Sequence, residues 1–319
     1  MADKLIIIAT PDQREIWLRW AEQRTRWQGD DEALAYLRHA VPLVSPSGHT
    51  RRAWLPNGHI IPVPVGGGSR LFNDASSHYL EAASTPITAT PFTFSAMFNS
   101  DDGTLTQAMV YMGDAGTVDN FFELAADGTL AGDPVRFRAR TTGNGDAVTS
   151  TGYTTGTWHH AAGVSASATS RTAYIDGGSS GTSGSSRIPT GVDTLAIGRR
   201  SATTGVNYFS GNIAEVAIWD VALAAAQVGM FAIPISPLIV NLGSLVFYCP
   251  IIGNFSPEID VAASRNMTVT GATVAAHPRI FYPPIQYRVG PGAAAAGIPD
   301  GSRDMDSMSQ TAAMFALNY

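Results

Sequence analysis

One cysteine, Cys249, stands in 319 residues, which excludes an intrachain disulfide and any zinc site built from several thiolates. No stretch approaches the roughly 18 consecutive apolar residues of a membrane-spanning helix. The start, MADKLIIIATPDQ, offers an apolar run of about five residues against the roughly 7–15 of a secretory signal. Neither a membrane span nor classical secretion is expected. Charge is scarce too: charged residues make up 14% of the chain, the formal net charge is −6, and almost all of the twenty Lys and Arg residues are Arg. They are scattered without a run dense enough to follow a phosphate backbone, so nucleic acid is not an expected partner. No GxSxG elbow, HExxH helix, Walker loop or GxGxxG strand-turn-helix occurs, and the glycines at 66–68 precede a strand rather than a helix.

What the chain does have is Gly, Ser, Thr and Ala in quantity, the composition of turn-rich β structure, with length enough for one large β domain or two modest ones. Residues 1–41 differ. DQREIWLRWAEQRTRWQGDDEALAYLRHA is rich in helix formers and reads as two short helices broken at Gly29, with Asp12 as N-cap. Ile16, Trp20, Gln23 and Trp27 fall near one helical face with Trp17 alongside, an aromatic stripe that is costly to leave in water. Residues 42–68, with Pro42, Pro46, Pro56, Pro62 and Pro64, read as an extended connector. At the other end 282–319 read as an extended tail whose Met305, Met308, Met314, Phe315 and Leu317 have no evident local core. Trp17, Trp20, Trp27, Met314 and Phe315 are the expected assembly interface, with other subunits as partners and a homo-oligomer as the expected state.

From Ser69 to Ile218 short alternating runs recur between turn signals, which predicts a sandwich or barrel. In FTFSAMF, Phe92, Phe94, Ala96 and Phe98 share one face and Thr93, Ser95 and Met97 the other. Asp127-Gly128 and Asp176-Gly177 sit where tight hairpins would close. ALAAAQVGMFA, Ala222 to Ala232, is the one clear helical stretch.

GTWHHAAGV puts two histidines side by side. Successive strand residues point to opposite faces, so His159 and His160 cannot both reach one metal ion. By parity Trp158, His160, Ala162 and Val164 share a face that looks like core, with the imidazole hydrogen-bonded at its rim; a ligand contact by His159 is the other reading.

The order of LFNDASSHYLEA, FTFSAMF, GTWHHAAGV, RTAYIDG, TLAIGR and FSGNIAEVAIWDVAL over about 69–232 resembles laminin-G-like domains of the concanavalin A-like lectin/glucanase superfamily. The resemblance implies a mainly β, antiparallel jelly-roll sandwich, here over 69–281 between a helical arm and an extended tail. SLVFYCPIIGNFSPEIDVAASRNMTVTGATV, Ser244 to Val274, looks like the segment that usually opens such a domain, yet here it comes last. It reads as closing strands, because about thirty residues cannot bury a core of their own.

The superfamily includes hydrolases that mount two or three carboxylates on one strand with alternate spacing. No E-x-D or D-x-x-E strand is found; Glu215 and Asp220 fall on opposite faces by parity, and Glu215 reads as a polar strand residue. No enzyme and no catalytic residue is expected. Some laminin-G-like domains bind calcium through loop oxygens, which makes Asp114, Asp119 and Asn120 of GDAGTVDN the candidate ligands, although such loops are commonly just solvated. No other cofactor is expected. A host glycan would need an aromatic platform beside amides and carboxylates, for which Asn144 and Asp146 in TGNGDA and Asn207, Tyr208 and Phe209 in TGVNYFSG are candidates; the other reading, and the more common case, is a hairpin tip with one aromatic tucked inward. In layout the chain resembles surface components of bacteriophage particles: capsid decorations, tail-tip proteins or fibres, located in the virion. A bacterial surface or exported adhesin and a degenerate glycosidase are the rival readings.

Overall fold

Strand β5, Phe92–Ser100, shows how the alternation is used. Phe92, Phe94, Ala96 and Phe98 are fully buried in the core, while Thr93, Ser95 and Met97 take the opposite face. The computed structural model describes residues 69–253, 255–263 and 265–280, and the backbone alone of 51–54 and 60–63. The same period repeats through the sandwich unit, Gly67–Tyr282, and assembles two antiparallel sheets.

The first sheet has eight strands. Its order is β12 (Gly178–Ser183), β11 (Ser170–Ile175), β10 (His159–Ser167), β5, β14 (Gly211–Trp219), β3 (Ser69–Phe72) and β17 (Thr273–Ala275), with β15 (Leu245–Cys249) also paired to β14. The second has seven, in the order β16 (Thr268–Thr270), β4 (Tyr79–Ala82), β13 (Thr194–Ile197), β6 (Thr106–Gly113), β7 (Phe121–Asp127), β8 (Pro134–Arg140) and β9 (Asn144–Gly152). Between them lies one aromatic core: the Phe92 ring meets Phe122 edge-on at 4.7 Å and Phe137 at 6.1 Å. Such pairs add to the burial each large ring contributes. Gly163 on β10 is where Phe137 crosses the gap; a Cβ there would stand 2.5 Å from the ring.

Strand β14 serves two neighbours on one edge. Gly211–Ile213 pair with β3, and Val216–Trp219 with β15. A bulge between Ala214 and Ala217 separates the halves, with Glu215 in the left-handed region at φ 54°. Glu215, expected as an ordinary polar strand residue, is instead the bulged one. Its buried carboxylate accepts a 2.8 Å bond from the Tyr248 hydroxyl. The segment Ser244–Val274 supplies strands to both sheets: β15 pairs β14, β16 pairs β4 and β17 pairs β3. Arg70 ties it down, donating to Glu258 Oε1 at 2.8 Å and to the Ala272 carbonyl at 2.6 Å.

A non-strand layer covers the outer face of the eight-stranded sheet. It contains the short helix Ala225–Gly229 and the 3-10 turn Met230–Ala232. Thr93 donates its hydroxyl to the Val221 carbonyl and Trp219 its indole N–H to the Val240 carbonyl. Asp176-Gly177 closes the β11–β12 hairpin with both residues at positive φ, as expected. Asp127-Gly128 does not form a tight hairpin: six residues separate β7 from β8, and Asp127 is buried.

Separately, β1 (Arg51–Trp54) and β2 (Ile60–Val63) form an antiparallel hairpin within the sequence read as a plain connector. Trp17, Trp20, Trp27, Met314 and Phe315 lie outside the described residues. Among the described residues no helix is long and apolar enough to cross a membrane.

Candidate functional site

The paired histidines are both committed to structure. His160 faces the covering layer, fully buried rather than at a rim, with Ser95 Oγ 2.8 Å from its Nε2 and the Phe231 ring stacked on it. Desolvation by burial pushes its pKa down to about 3, against the pull of Asp176. His159 takes the other face, beside Phe98. Its Nε2 accepts from the Thr154 amide at 3.0 Å, which leaves the proton on Nδ1, 2.8 Å from Asp176 Oδ2. Both nitrogens are occupied, so no lone pair is left for a metal or ligand.

The outer face of the seven-stranded sheet carries the chemistry. Parity sets Phe121, Glu123 and Asp127 of β7 and Arg136, Arg138 and Arg140 of β8 on this side, since Phe122, Leu124, Val135 and Phe137 belong to the core. Arg136 bridges Glu123 and Asp127, Arg138 forks onto both oxygens of Asp146 at 2.7 Å, and Arg140 bonds Asp119 at 2.6 Å and Asn144 at 2.8 Å. Burial works to raise the Asp127 carboxyl, but hydrogen bonds from Thr129 and Thr106 and the charge of Arg136 hold it below the usual range.

Glu123 and Asp127 were missed in the sequence, although the alternation of FFELAAD places both on the solvent-side face. They share one strand, the arrangement a hydrolase uses, but both are fully buried and bound to one guanidinium. A retaining or inverting pair needs one carboxyl free to protonate a leaving group and the other free to face the sugar. These are free for neither.

Four of the glycan candidates share this face but form two places. Asn144 lies in the row Gly113, Phe121, Arg140, Asn144, whereas Asn207 bonds to β6 at Ala108, in the row Ala108, Ala125, Arg136, Val148. Four residues separate the rows on β9, about 13 Å at ~3.3 Å per residue. Asn144 and Asp146 are taken up by Arg140 and Arg138. Asn207 and Tyr208 instead line a cavity of about 380 Å³ with Asp74, Leu105, Thr106 and Thr129. Phe209 is tucked fully inside against Phe72, which leaves Tyr208 facing out over Tyr79, ring centroids 6.5 Å apart. Arg199 braces that pair, 3.4 Å above the Tyr79 ring and bonded to Glu81 at 2.7 Å. Beneath the cavity the Thr106 and Thr129 hydroxyls donate to Asp127 Oδ1 at 2.7 and 2.6 Å, and Asn207 donates to Glu123 Oε2 at 3.3 Å. The buried ion cluster therefore fixes three of the lining side chains.

The calcium candidates share the β6–β7 loop, and one oxygen of each already has a hydrogen-bond partner. Asp114 Oδ1 accepts from the Gly116 amide at 2.7 Å, Asp119 is held by Arg140, and the Asn120 carbonyl accepts from the Asp114 amide at 3.0 Å. Among the described residues no group of three or more His, Cys, Asp or Glu side chains is placed to hold a metal ion.

A two-sheet sandwich with this strand order now stands beside known proteins. Residues 74–229 match the laminin-G family model of the concanavalin A-like lectin/glucanases superfamily. The laminin-G-like match spans slightly under half of the chain. Among solved structures, the chain is similar to a heptameric SAP-like pentraxin from Limulus polyphemus (TM-score 0.49, 14% identity, covering 67% of this chain and 97% of that one). It is similar to a putative carbohydrate binding protein from Bacteroides ovatus (0.49, 20%, covering 70% and 65%). A third is domain 4 of a GH43 extracellular arabinanase from Geobacillus stearothermophilus, in complex with arabinotriose (0.41, 19%, covering 59% and 82%). No curated protein sequence matches the chain.

Proposed function

We propose that the laminin-G-like sandwich binds a glycan without cleaving it, in the cavity beside Tyr208. The observation that carries this reading is the lining itself: a braced aromatic ring, an exposed apolar Leu105, an amide, two hydroxyls and the Asp74 carboxylate around one concavity. A sugar presents both an apolar ring face and a rim of hydroxyls, and such a lining meets both. The lectin-bearing superfamily of residues 74–229 supports the same reading. Carboxylates locked on Arg136 support binding over hydrolysis.

The wider role we propose is a structural component of a virion, displaying the sandwich and assembling through its flanks. Support comes from the sequence layout, with Trp17, Trp20 and Trp27 before the sandwich and Met314 and Phe315 after it. The test is binding of the full chain to a panel of oligosaccharides, repeated with Tyr208→Ala. Saccharide binding that falls about tenfold or more in the variant, with an unchanged melting curve, supports the cavity; binding that survives intact, or turnover of any saccharide, overturns the reading.

A further inference from the structure

Arginines on the outer face of the seven-stranded sheet meet carboxylates: Arg136, Arg138 and Arg140 on β8 each do so. Two others do not. Arg171, on β11, shares the inward parity of Ala173 and Ile175 and is 1% exposed. Its Nη1 donates to the Ala168 carbonyl at 2.8 Å and its Nη2 to the Ser185 carbonyl, while Nε is buried with no hydrogen-bond partner. Beside it runs Arg187, half-buried, whose Nη1 donates to the Ser186 carbonyl at 2.7 Å and whose Nε is likewise buried and unpartnered. Neither forms an ion pair within the described residues.

The two side chains converge on β9 and its turn. A Cβ on Gly145 would stand 2.6 Å from Arg171 Nη2 and 3.0 Å from Arg187 Cγ; one on Gly143 would stand 2.8 Å from Arg187 Nη2. The two glycines let both arginine side chains lie close against this strand. Two like charges side by side and largely out of water are costly. Burial lowers the Arg171 pKa, Arg187 lowers it further, and Asp146 opposes both. The acids bordering this corner, Asp146 and Asp119, are themselves taken up by Arg138 and Arg140. Arg171 and Arg187 thus have no carboxylate partner of their own among the described residues.

We propose that Arg171 and Arg187 form an oxyanion subsite, which takes the sulfate or carboxylate group of a ligand. Arg187 is the half-exposed member that meets the ligand, and its planar fork suits a two-oxygen contact. Arg171 stands behind it as a fixed positive charge, held by the two carbonyls. The corner is at the Asn144 end of β9, away from the Tyr208 cavity, so this site stands or falls separately from the glycan reading.

The probes are inorganic sulfate and galacturonate, titrated into the full chain at constant ionic strength with chloride as control. Wild type should bind sulfate, with a rise in melting temperature beyond that in chloride. In Arg187→Gln the affinity should fall about tenfold or more while the melting temperature without sulfate does not fall, because Arg187 donates only to its neighbour's carbonyl and its loss relieves the like charge beside Arg171. Arg187→Lys, which keeps the charge and loses the fork, should fall between the two. Galacturonate binding tighter than sulfate assigns the subsite to a carboxylated sugar, and the reverse assigns it to a sulfate. Sulfate stabilisation no larger than that of chloride, or equal in wild type and both variants, overturns the proposal. Tyr208→Ala should leave sulfate binding unchanged; loss of both saccharide and sulfate binding in that variant alone would merge the two sites and overturn it as well.

Discussion

Phe231 lies flat on His160, the ring centroids 4.2 Å apart and the planes within 7° of parallel. The contact fastens the covering layer to the eight-stranded sheet and keeps water from the imidazole. Because the folded-state pKa of His160 is depressed to about 3, its contribution is complete above the ordinary histidine value of about 6.5 and is lost as pH falls from there toward 3. The expected slope is on the order of 1 kcal/mol per pH unit. His160→Phe keeps a ring under Phe231 and removes the titration. We expect it to be less stable than wild type at pH 7.5 by about 1 kcal/mol, for the hydrogen bond lost at Ser95. By that slope the order should cross between about pH 5 and 6 and be reversed at about pH 4.5. Urea midpoints across pH check this, and parallel curves for the two proteins would disprove it.

Arg136 neutralises two carboxylates that no water reaches. Arg136→Met should cost about 3–5 kcal/mol at pH 8, because it leaves Asp127 with hydroxyl donors but no cation, and Glu123 with the Asn207 amide and the more distant Arg200, 3.9 Å away. The loss should shrink at pH 5 as Asp127, no longer held down by Arg136, takes up a proton. Thermal melts at the two values give the comparison. A deficit that is the same at both would mean packing, not charge, is what Arg136 provides.

Phe247 and Met267 belong to the central core although they lie after the covering layer in sequence. Phe247→Ala should cost about 3–5 kcal/mol and Met267→Ala about 2–5. Val274→Ala, at a position 55% exposed, should cost less than about 0.5 kcal/mol. Denaturant titrations rank the three; near-neutral effects at Phe247 and Met267 would make the segment an appendage.

Asp119, a calcium candidate on the β6–β7 loop, is already paired with Arg140. A site saturated at 100 times its dissociation constant adds about 2.7 kcal/mol to stability. We expect no such gain on moving from chelator to millimolar calcium. A clear rise in melting temperature that Asp119→Asn abolishes would refute this.

Much of the fold was legible, because the two-residue period of FTFSAMF and the Asp176-Gly177 turn are local signals with local causes. The bulge at Glu215 was not, since a single residue out of phase looks like a polar position on a regular strand. It shows itself only when β3 and β15 are seen to share one edge of β14. The site was legible in part. Asn207 and Tyr208 announced themselves as an amide and an aromatic in a turn. The residues that join them, Asp74, Leu105 and Thr129, come from three other connections and have no sequence relation to one another. Asn144 and Asp146 showed the right chemistry, but nothing local reveals that Arg140 and Arg138, opposite them across a ladder, have already claimed it.

The sandwich begins and ends on adjacent strands. Ala275 of β17 lies opposite Ser69 of β3, and the Ser69 hydroxyl donates to the Ala276 carbonyl at 2.8 Å. Tension applied through these two points pulls them apart like the slider end of a zip, loading the β3–β17 bonds one after another rather than all at once. The unit should therefore yield to mechanical load from this edge inward, with β17 peeling away first. The same adjacency means that a short peptide could join the two points, and a circularly rearranged chain could open elsewhere, at the tip between Arg200 and Val206, without altering a single strand pairing.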